Sequence, residues 1–338
     1  MDLQQTYLSA QFLTFACKIK RDLRLSIDPK MFSIWPEARF SMSSFYKPSR
    51  LQPYDIEAVF NSFYPDAHSV LFPSARAGLS AILSVHFSRN DHVWIPPYAS
   101  YCVISSIGLV ATPTPKMSPE IEATLIFHQW GYAHKPKIRG LVIEDSVDTL
   151  IASKGCVFPN DGRYELLSLP KIFGCLFGGV VLCQNAADAD VLRRVRDQRT
   201  ILKWGHIFNR LMAKYSKASL LNWHNSEAEN GFLPATVCDD VMGKITALDT
   251  LVVDRKNKLD LIKGANLKTF GKISDTRLPT CVAIDSEILN KNSVDLTAYC
   301  RHFSPGQDFT SLKKVLPLAV HKDILCHELE QSLEIFYC

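Results

Sequence analysis

Within LVIEDSVDTLIASKGCVFPNDGRYELLSLPKIFGCLFGGVVLC (141–183), two acids and one lysine stand where chemistry could be done. The apolar run Leu141-Val142-Ile143 ends on Glu144 and Asp145. Lys171 follows 26 positions after Asp145, between Ser168 and Gly174 and just before a Gly-Gly pair. An acid ending a buried strand can keep a pyridine nitrogen protonated, so that the ring acts as an electron sink. A lysine can form a Schiff base and later move a proton. Those are the two protein groups that pyridoxal phosphate chemistry requires. Leu166, Leu167, Leu169, Ile172 and Phe173 surround Lys171 and desolvate it, which predicts a lowered pKa and a neutral amine. The bland alternatives are a surface lysine and an aspartate that caps the next helix.

The elements that would carry these residues alternate between strand and helix. Ser69–Pro73, His92–Ile95, Val110–Thr114, Thr124–His128, Leu141–Asp145 and Gly178–Cys183 read as strands; Ala75–Phe87, Ser100–Gly108 and Ala186–Arg199 read as helices. That order predicts an α/β fold whose mostly parallel sheet is covered on both faces. On the last helix, Arg193, Arg194, Arg196, Asp197 and Arg199 read as a solvated face. After Trp204 the texture changes. Apolar Val237, Val241, Ile245, Leu248 and Leu251 predict one long helix over 233–263. A strand at Thr280–Ile284 and a closing helix at Asp323–Phe336 complete a smaller C-terminal α/β unit. The resulting division is an N-terminal arm (1–50), a large cofactor-binding domain (51–204) and the long helix with a smaller domain (205–338). The aromatic arm reads as a packed segment or as a cover over a substrate.

The chain has 338 residues, enough for such a core, with 47% hydrophobic and 21% charged content, ordinary values for a globular protein. A net charge of +4 is too mild to argue for nucleic acid. Ten cysteines lack CxxC pairs and read as reduced thiols, and no signal or membrane-spanning stretch opens the chain, so a cytoplasmic location is expected. There is no GxGxxG, GxxxxGK or GxSxG motif and no metal-ligand spacing, so no metal is expected.

In sequence order, SARAGLSAIL (74–83), WIPPYASY (94–101), HQWGY (128–132), VIEDSVD (142–148), SLPKIFG (168–174), GGVVLC (178–183) and LPLAVHKDI (316–324) resemble the DegT/StrS family of sugar aminotransferases. The resemblance spans roughly residues 50–335. It implies the pyridoxal phosphate fold type I, a three-layer α/β/α domain followed by a smaller one, and a homodimer with shared active sites. It makes Lys171 the Schiff-base lysine and Asp145 the partner of the pyridine nitrogen. Ser74, Ala75 and Arg76 match the small-residue loop where helix-start amides hold the phosphate, although Ser74 could be an ordinary N-cap. Tyr101 matches the aromatic stacked on the ring, or is a core residue of a buried helix. His128 matches a family histidine near the cofactor, or is structural.

Three positions depart from the family. Asp148 stands where glutamine usually lies near the phenolic oxygen; a second carboxylate there disfavours the phenolate by like-charge repulsion. Leu166 stands where a phosphate-binding serine is usual, and Ser168, three residues before the lysine, could substitute. Phe232 aligns with an asparagine that reaches the neighbouring subunit's phosphate, and Asn225 or Asn230 would serve only after a shift. The implied activity is transfer of an amino group from an amino acid, glutamate by resemblance, to a nucleotide-linked keto-sugar. A sugar dehydratase or lyase and a non-catalytic relative are the alternatives; the dehydratase branch typically replaces the lysine with histidine.

Overall fold

The computed structural model describes residues 28–41, 50–199, 204–213, 215–216, 218–219, 232–287, 296–306, 309 and 311–335. Thirteen strands and nine α-helices are formed among them, and local sequence explains several of the helix starts. Helix α1 (Pro53–Phe63) opens on a proline whose missing N–H is unneeded there, and the Asp55 carboxylate accepts from the Gln52 N–H at 2.7 Å. Strand β1 (His68–Phe72) leads into α2 (Ala75–His86), where Ser74 Oγ accepts from the Ala77 N–H at 3.1 Å. Then come β2 (His92–Trp94), α3 (Tyr101–Gly108), β3 (Thr112–Thr114), β4 (Ile121–Phe127), β5 (Leu141–Asp145) and β6 (Thr149–Ile151). Strand β7 (Tyr164–Ser168), the short helix α4 (Leu169–Phe173), β8 (Gly179–Cys183) and α5 (Ala186–Gln198) follow.

Seven of these strands form one sheet in the order β1-β8-β7-β5-β4-β2-β3. Four of its six pairings are parallel, and both pairings of β8 are antiparallel. Alternate side chains of each strand enter different cores. Val70 and Phe72, Leu166, and Val181 and Cys183 pack on one face with α2 residues Leu79, Ile82 and Leu83 and with Leu192 of α5. Leu71, Leu167, Val180 and Leu182 pack on the other with Phe60 of α1. Both faces are therefore covered, as apolar parallel strands demand. The fold is the α/β architecture expected.

The rest of the chain builds on the second core. Helix α6 (Trp204–Met212) precedes α7 (Ala235–Ile245) and α8 (Leu248–Gly264). The single helix expected over 233–263 is thus two, broken at Thr246-Ala247. Val237, Val241, Ile245 and Leu248 are all buried in one core, so the apolar period runs through a break it cannot register. Strands β9 (Thr269–Phe270), β11 (Cys281–Asp285), β12 (Arg301–Phe303) and β13 (Lys313–Ala319) form a four-stranded sheet in the order β12-β13-β11-β9. Strand β10 (Arg277–Pro279) instead pairs antiparallel with β6, and α9 (Cys326–Ile335) closes the described chain.

The charged face of α5 is solvated at Arg194 and Asp197, as its sequence suggests, but not throughout. Arg196 is fully buried, paired with Glu57 of α1 and with Asp197, and Arg193 bonds Glu57 at 2.9 Å. These arginines are the clamp between α5, α1 and β1, because Glu57 also accepts from the Leu71 N–H at 2.9 Å. Of the N-terminal arm, residues 28–41 are packed in place. Met31 and Phe32 are buried, the Arg39 N–H donates to Gly174 O at 3.0 Å, and Lys30 pairs with Glu328 at 2.6 Å.

Candidate active site

Strands β4, β5 and β7 lie side by side and parallel, and their carboxyl ends deliver His128, Asp145 and Ser168 to one edge of the sheet. That edge is where open α/β sheets bind ligands. The pleat then divides the two acids of β5. Glu144 turns into the protein, where it accepts from His128 Nε2 (2.8 Å), Asn160 Nδ2 (2.9 Å) and the backbone N–H groups of Asn160 (3.0 Å) and Gly162 (2.9 Å). Asp145 is 3% exposed, and its carboxylate accepts one bond among the described residues, a long one from the Val147 N–H (3.3 Å). Burial pushes its carboxyl up to about 6, and Asp148 adds to the rise while Lys171 opposes it. A buried carboxylate so poorly satisfied fits a cationic N–H donor, such as a protonated pyridine.

Lys171 rises from α4, which Pro170 starts and Gly174, at φ 67°, ends. Its ammonium donates to Asp148 Oδ1 at 3.0 Å and lies 4.3 Å from the centre of the Trp35 ring. Trp35 Nε1 donates to the same oxygen at 2.7 Å, and the Trp130 N–H reaches Asp148 Oδ2 at 3.3 Å. Here the expected direction of the lysine's pKa is overturned. Desolvation does pull the ammonium down, but Asp148 and Asp145 outweigh it and hold Lys171 above its ordinary value. Apolar neighbours in sequence did not reveal the two carboxylates in space.

The Ser74-Ala75-Arg76 turn lies across from β8. A Cβ on Gly179 would sit 2.1 Å from the Ala75 nitrogen, so glycine is what lets β8 pass this close to the start of α2. Ser74 does serve as the N-cap. Burial lowers the Arg76 guanidinium; Cys102 opposes this and Arg210 of α6 adds to it. The N–H groups that open a helix, with an arginine on the first turn, fit a phosphate dianion. Ser168 is buried as the N-cap of α4, yet its hydroxyl makes no capping bond to that helix.

Two expected cofactor contacts sit differently. His128 is fully buried, with Nε2 on Glu144 and Nδ1 accepting from the His134 N–H at 3.0 Å. Both ring nitrogens are thereby engaged with protein, and burial lowers its pKa although Glu144 resists. Tyr101 is 76% exposed on the first turn of α3, so it is not a core residue of a buried helix. Its neighbour Cys102 raises both Lys171 and Arg76 electrostatically. Leu166 is core, and the Phe232 ring lies 5.4 Å from the Arg196 guanidinium. Asn225 and Asn230 lie outside the described residues. Sequence reasoning missed Trp35, Arg210 and the Trp130 N–H. Only Trp35 left a signal, as one aromatic among many in the N-terminal arm.

A family model described as "Putative PLP-dependent aminotransferase" matches residues 56–323. The chain belongs to this family. It is a pyridoxal phosphate-dependent aminotransferase, and the buried Asp145, the nearby Lys171 and the cationic start of α2 fit that cofactor. No curated protein matches the chain by sequence. Solved structures are similar in fold at low identity. The aminotransferase TlmJ from Streptoalloteichus hindustanus superposes with a TM-score of 0.62 at 12% identity, covering 90% of this chain and 98% of that one. A putative sugar aminotransferase, Spr1654 from Streptococcus pneumoniae in its PMP form, gives 0.58 at 11% identity over 89% and 96%. DesI, solved in the presence of its TDP-sugar product, gives 0.59 at 13% identity over 88% and 90%.

Proposed function

We propose that this aminotransferase moves an amino group from an amino-acid donor, glutamate by resemblance, to a keto-sugar carried on a nucleotide. The observation that carries the site assignment is the cluster of Lys171, Asp145 and Asp148 beside the carboxyl ends of β5 and β7. The similarity to DesI, with its TDP-sugar product, supports the acceptor class. When bound, pyridoxal phosphate supplies the electron sink. Asp145 would accept the pyridinium N–H, and Lys171 would supply the linking amine and, once freed, take up and return the proton at the substrate carbon. The Ser74-Ala75-Arg76 turn, with Ser168, holds the phosphate, and Tyr101 stacks on the ring, while His128, buried on Glu144 and His134, braces the end of β5 from behind. In this reading residues 51–204 form the cofactor unit and 205–338 the smaller one.

The working form in this reading is a cytoplasmic homodimer. Phe208, Leu211 and Tyr215 on and just after α6 are 61%, 37% and 76% exposed, and Ile104 of α3 is 38% exposed. Apolar side chains exposed in such number favour a covering partner. Among the described residues no helix is long and apolar enough to cross a membrane.

The deciding experiment is an absorption spectrum followed by borohydride reduction and peptide mass spectrometry. A band near the visible edge that vanishes on reduction, with the pyridoxyl label on Lys171, is the expected result. A label on another lysine, or none with cofactor in excess, refutes the assignment. Cofactor uptake without amino transfer would instead favour the non-catalytic reading, for which Asp148, in place of the family's glutamine, is the specific support.

A further inference from the structure

The turn after β5 places a carboxylate where it touches Lys171 rather than only the space beside it. Asp148 is 1% exposed and fixed by three donors from three parts of the chain: Trp35 Nε1, the Trp130 N–H and Lys171 Nζ. The Trp130 contact is itself built in. Trp130 adopts φ 57°, and a Cβ on Gly131 would lie 3.0 Å from the Asp148 carbonyl oxygen. Trp35 contributes twice, bonding the carboxylate and lying against the ammonium. Cations held over an indole face gain roughly 0.5–2 kcal/mol.

We propose that Asp148 is a positioning residue for Lys171: with Trp35 it clamps the side chain as an ammonium, and cofactor attachment waits on release of that clamp. The proposal rests on the reading of Lys171 as the linking lysine. To bond a cofactor aldehyde, the ammonium must first give one proton to solvent. Its nitrogen then bonds to the carbonyl carbon, and the carbonyl oxygen leaves as water. The charged and titratable groups that act on Lys171 are Asp148, Asp145 at the end of β5, and Cys102 of α3. Those linked to Asp148 are Lys171, Asp145 and Cys281 of β11. The balance of these groups favours the charged lysine, against desolvation. Attachment should therefore quicken as pH rises, and removal of the Asp148 charge should move that rise to lower pH.

The test needs no turnover. The full-length chain, freed of cofactor, is labelled with trace acetic anhydride between about pH 7 and 11, a range that brackets ordinary lysine titration. The Lys171 peptide is quantified by mass spectrometry against the other lysines. The Lys171 midpoint should lie above theirs. Asp148→Asn should lower it by about one unit or more, as loss of an adjacent opposite charge does, while Asp148→Glu should largely retain it. Trp35→Ala should lower it by less, and it decides the matter should Asp148→Asn fail to fold.

Pyridoxal phosphate uptake near neutral pH, followed by absorbance, should be about tenfold faster in Asp148→Asn for each unit lost. A folded Asp148→Asn whose midpoint equals that of the wild type overturns the proposal, as does an unchanged midpoint in Trp35→Ala when that is the variant that folds. Failure of every variant to take up cofactor would strike the functional reading instead, with the labelling midpoints still judging Asp148.

Discussion

Trp35 donates its indole N–H to Asp148 Oδ1 at 2.7 Å, across 113 residues of sequence. That bond joins a segment lying before α1 to the turn that follows β5. The same segment is pinned on either side of Trp35, through Lys30 on Glu328 and Arg39 on Gly174. Because Gly174 ends the helix that bears Lys171, the segment touches the site at two points. Residues 28–41 are therefore both a packed arm and one wall of the lysine's surroundings.

Asp145 is expected to cost stability in exchange for function. Its folded-state carboxyl sits at about 6, above the ordinary 3.8. A raised acid pKa leaves the folded state fully favoured only below the unfolded value, and stability is lost as pH climbs through the folded value. Asp145→Asn in the cofactor-free chain should accordingly be more stable at pH 7 by at most roughly 3 kcal/mol. The gain should vanish near pH 4, and urea denaturation at both values checks it. With cofactor, the same variant should lose about 10²-fold or more in turnover, as removal of a preorganised charge partner does.

Gly179 tests the phosphate cradle. A methyl group there would meet backbone atoms of Ser74 and Ala75 at 2.1–2.5 Å, and backbone cannot swing aside as a side chain can. Gly179→Ala should push the start of α2 outward, costing about 1–3 kcal/mol of stability. Affinity for pyridoxal phosphate, measured by titration calorimetry, should fall with it. Gly264→Ala, with open space around its Cβ position, should leave affinity unaltered.

The contrast between these sites explains what could be read in the sequence. Strand β5 was legible to its bounds because Leu141-Val142-Ile143 is apolar and two acids stop it. The alternation of Leu71 with Val70 and Phe72 between two cores follows from the period of a strand. Three things were not legible. The break between α7 and α8 keeps the apolar period intact. The fate of Arg196 depends on Glu57, 139 residues away. The charge state of Lys171 depends on Asp148, which local apolar neighbours do not report. The last two are decided by contacts made in space, which a single sequence does not encode by spacing.

Arg196 should behave as a structural ion, not as a solvated one. It is fully buried against Glu57, and removing one partner of a buried pair leaves the other charge uncompensated. Arg196→Ala should destabilise the chain by about 3 kcal/mol or more, read from urea denaturation. Arg193 still bonds Glu57 at 2.9 Å, so the loss should stop short of unfolding. Arg196→Ala combined with Glu57→Gln should recover part of it, and activity per folded molecule should be near normal.

The last prediction concerns the face of α6. Phe208, Leu211 and Tyr215 are exposed there, while Ile207 of the same helix is buried, so the helix has apolar residues on more than its core side. Arg210 of this helix donates to Leu176 O at 3.3 Å, in the loop between α4, which bears Lys171, and β8. A second copy covering this face would bury the apolar side chains and bring its own residues near the site. Stable pairs of this kind bury about 1,200–2,000 Å² or more in total. Sedimentation velocity at micromolar concentration should give a dimer. Phe208→Asp, which puts a charge where burial is expected, should shift the boundary towards monomer and lower pyridoxal phosphate affinity together. A wild-type chain that sediments as a monomer, or a Phe208→Asp chain that stays dimeric with full affinity, would show that this face is not the interface.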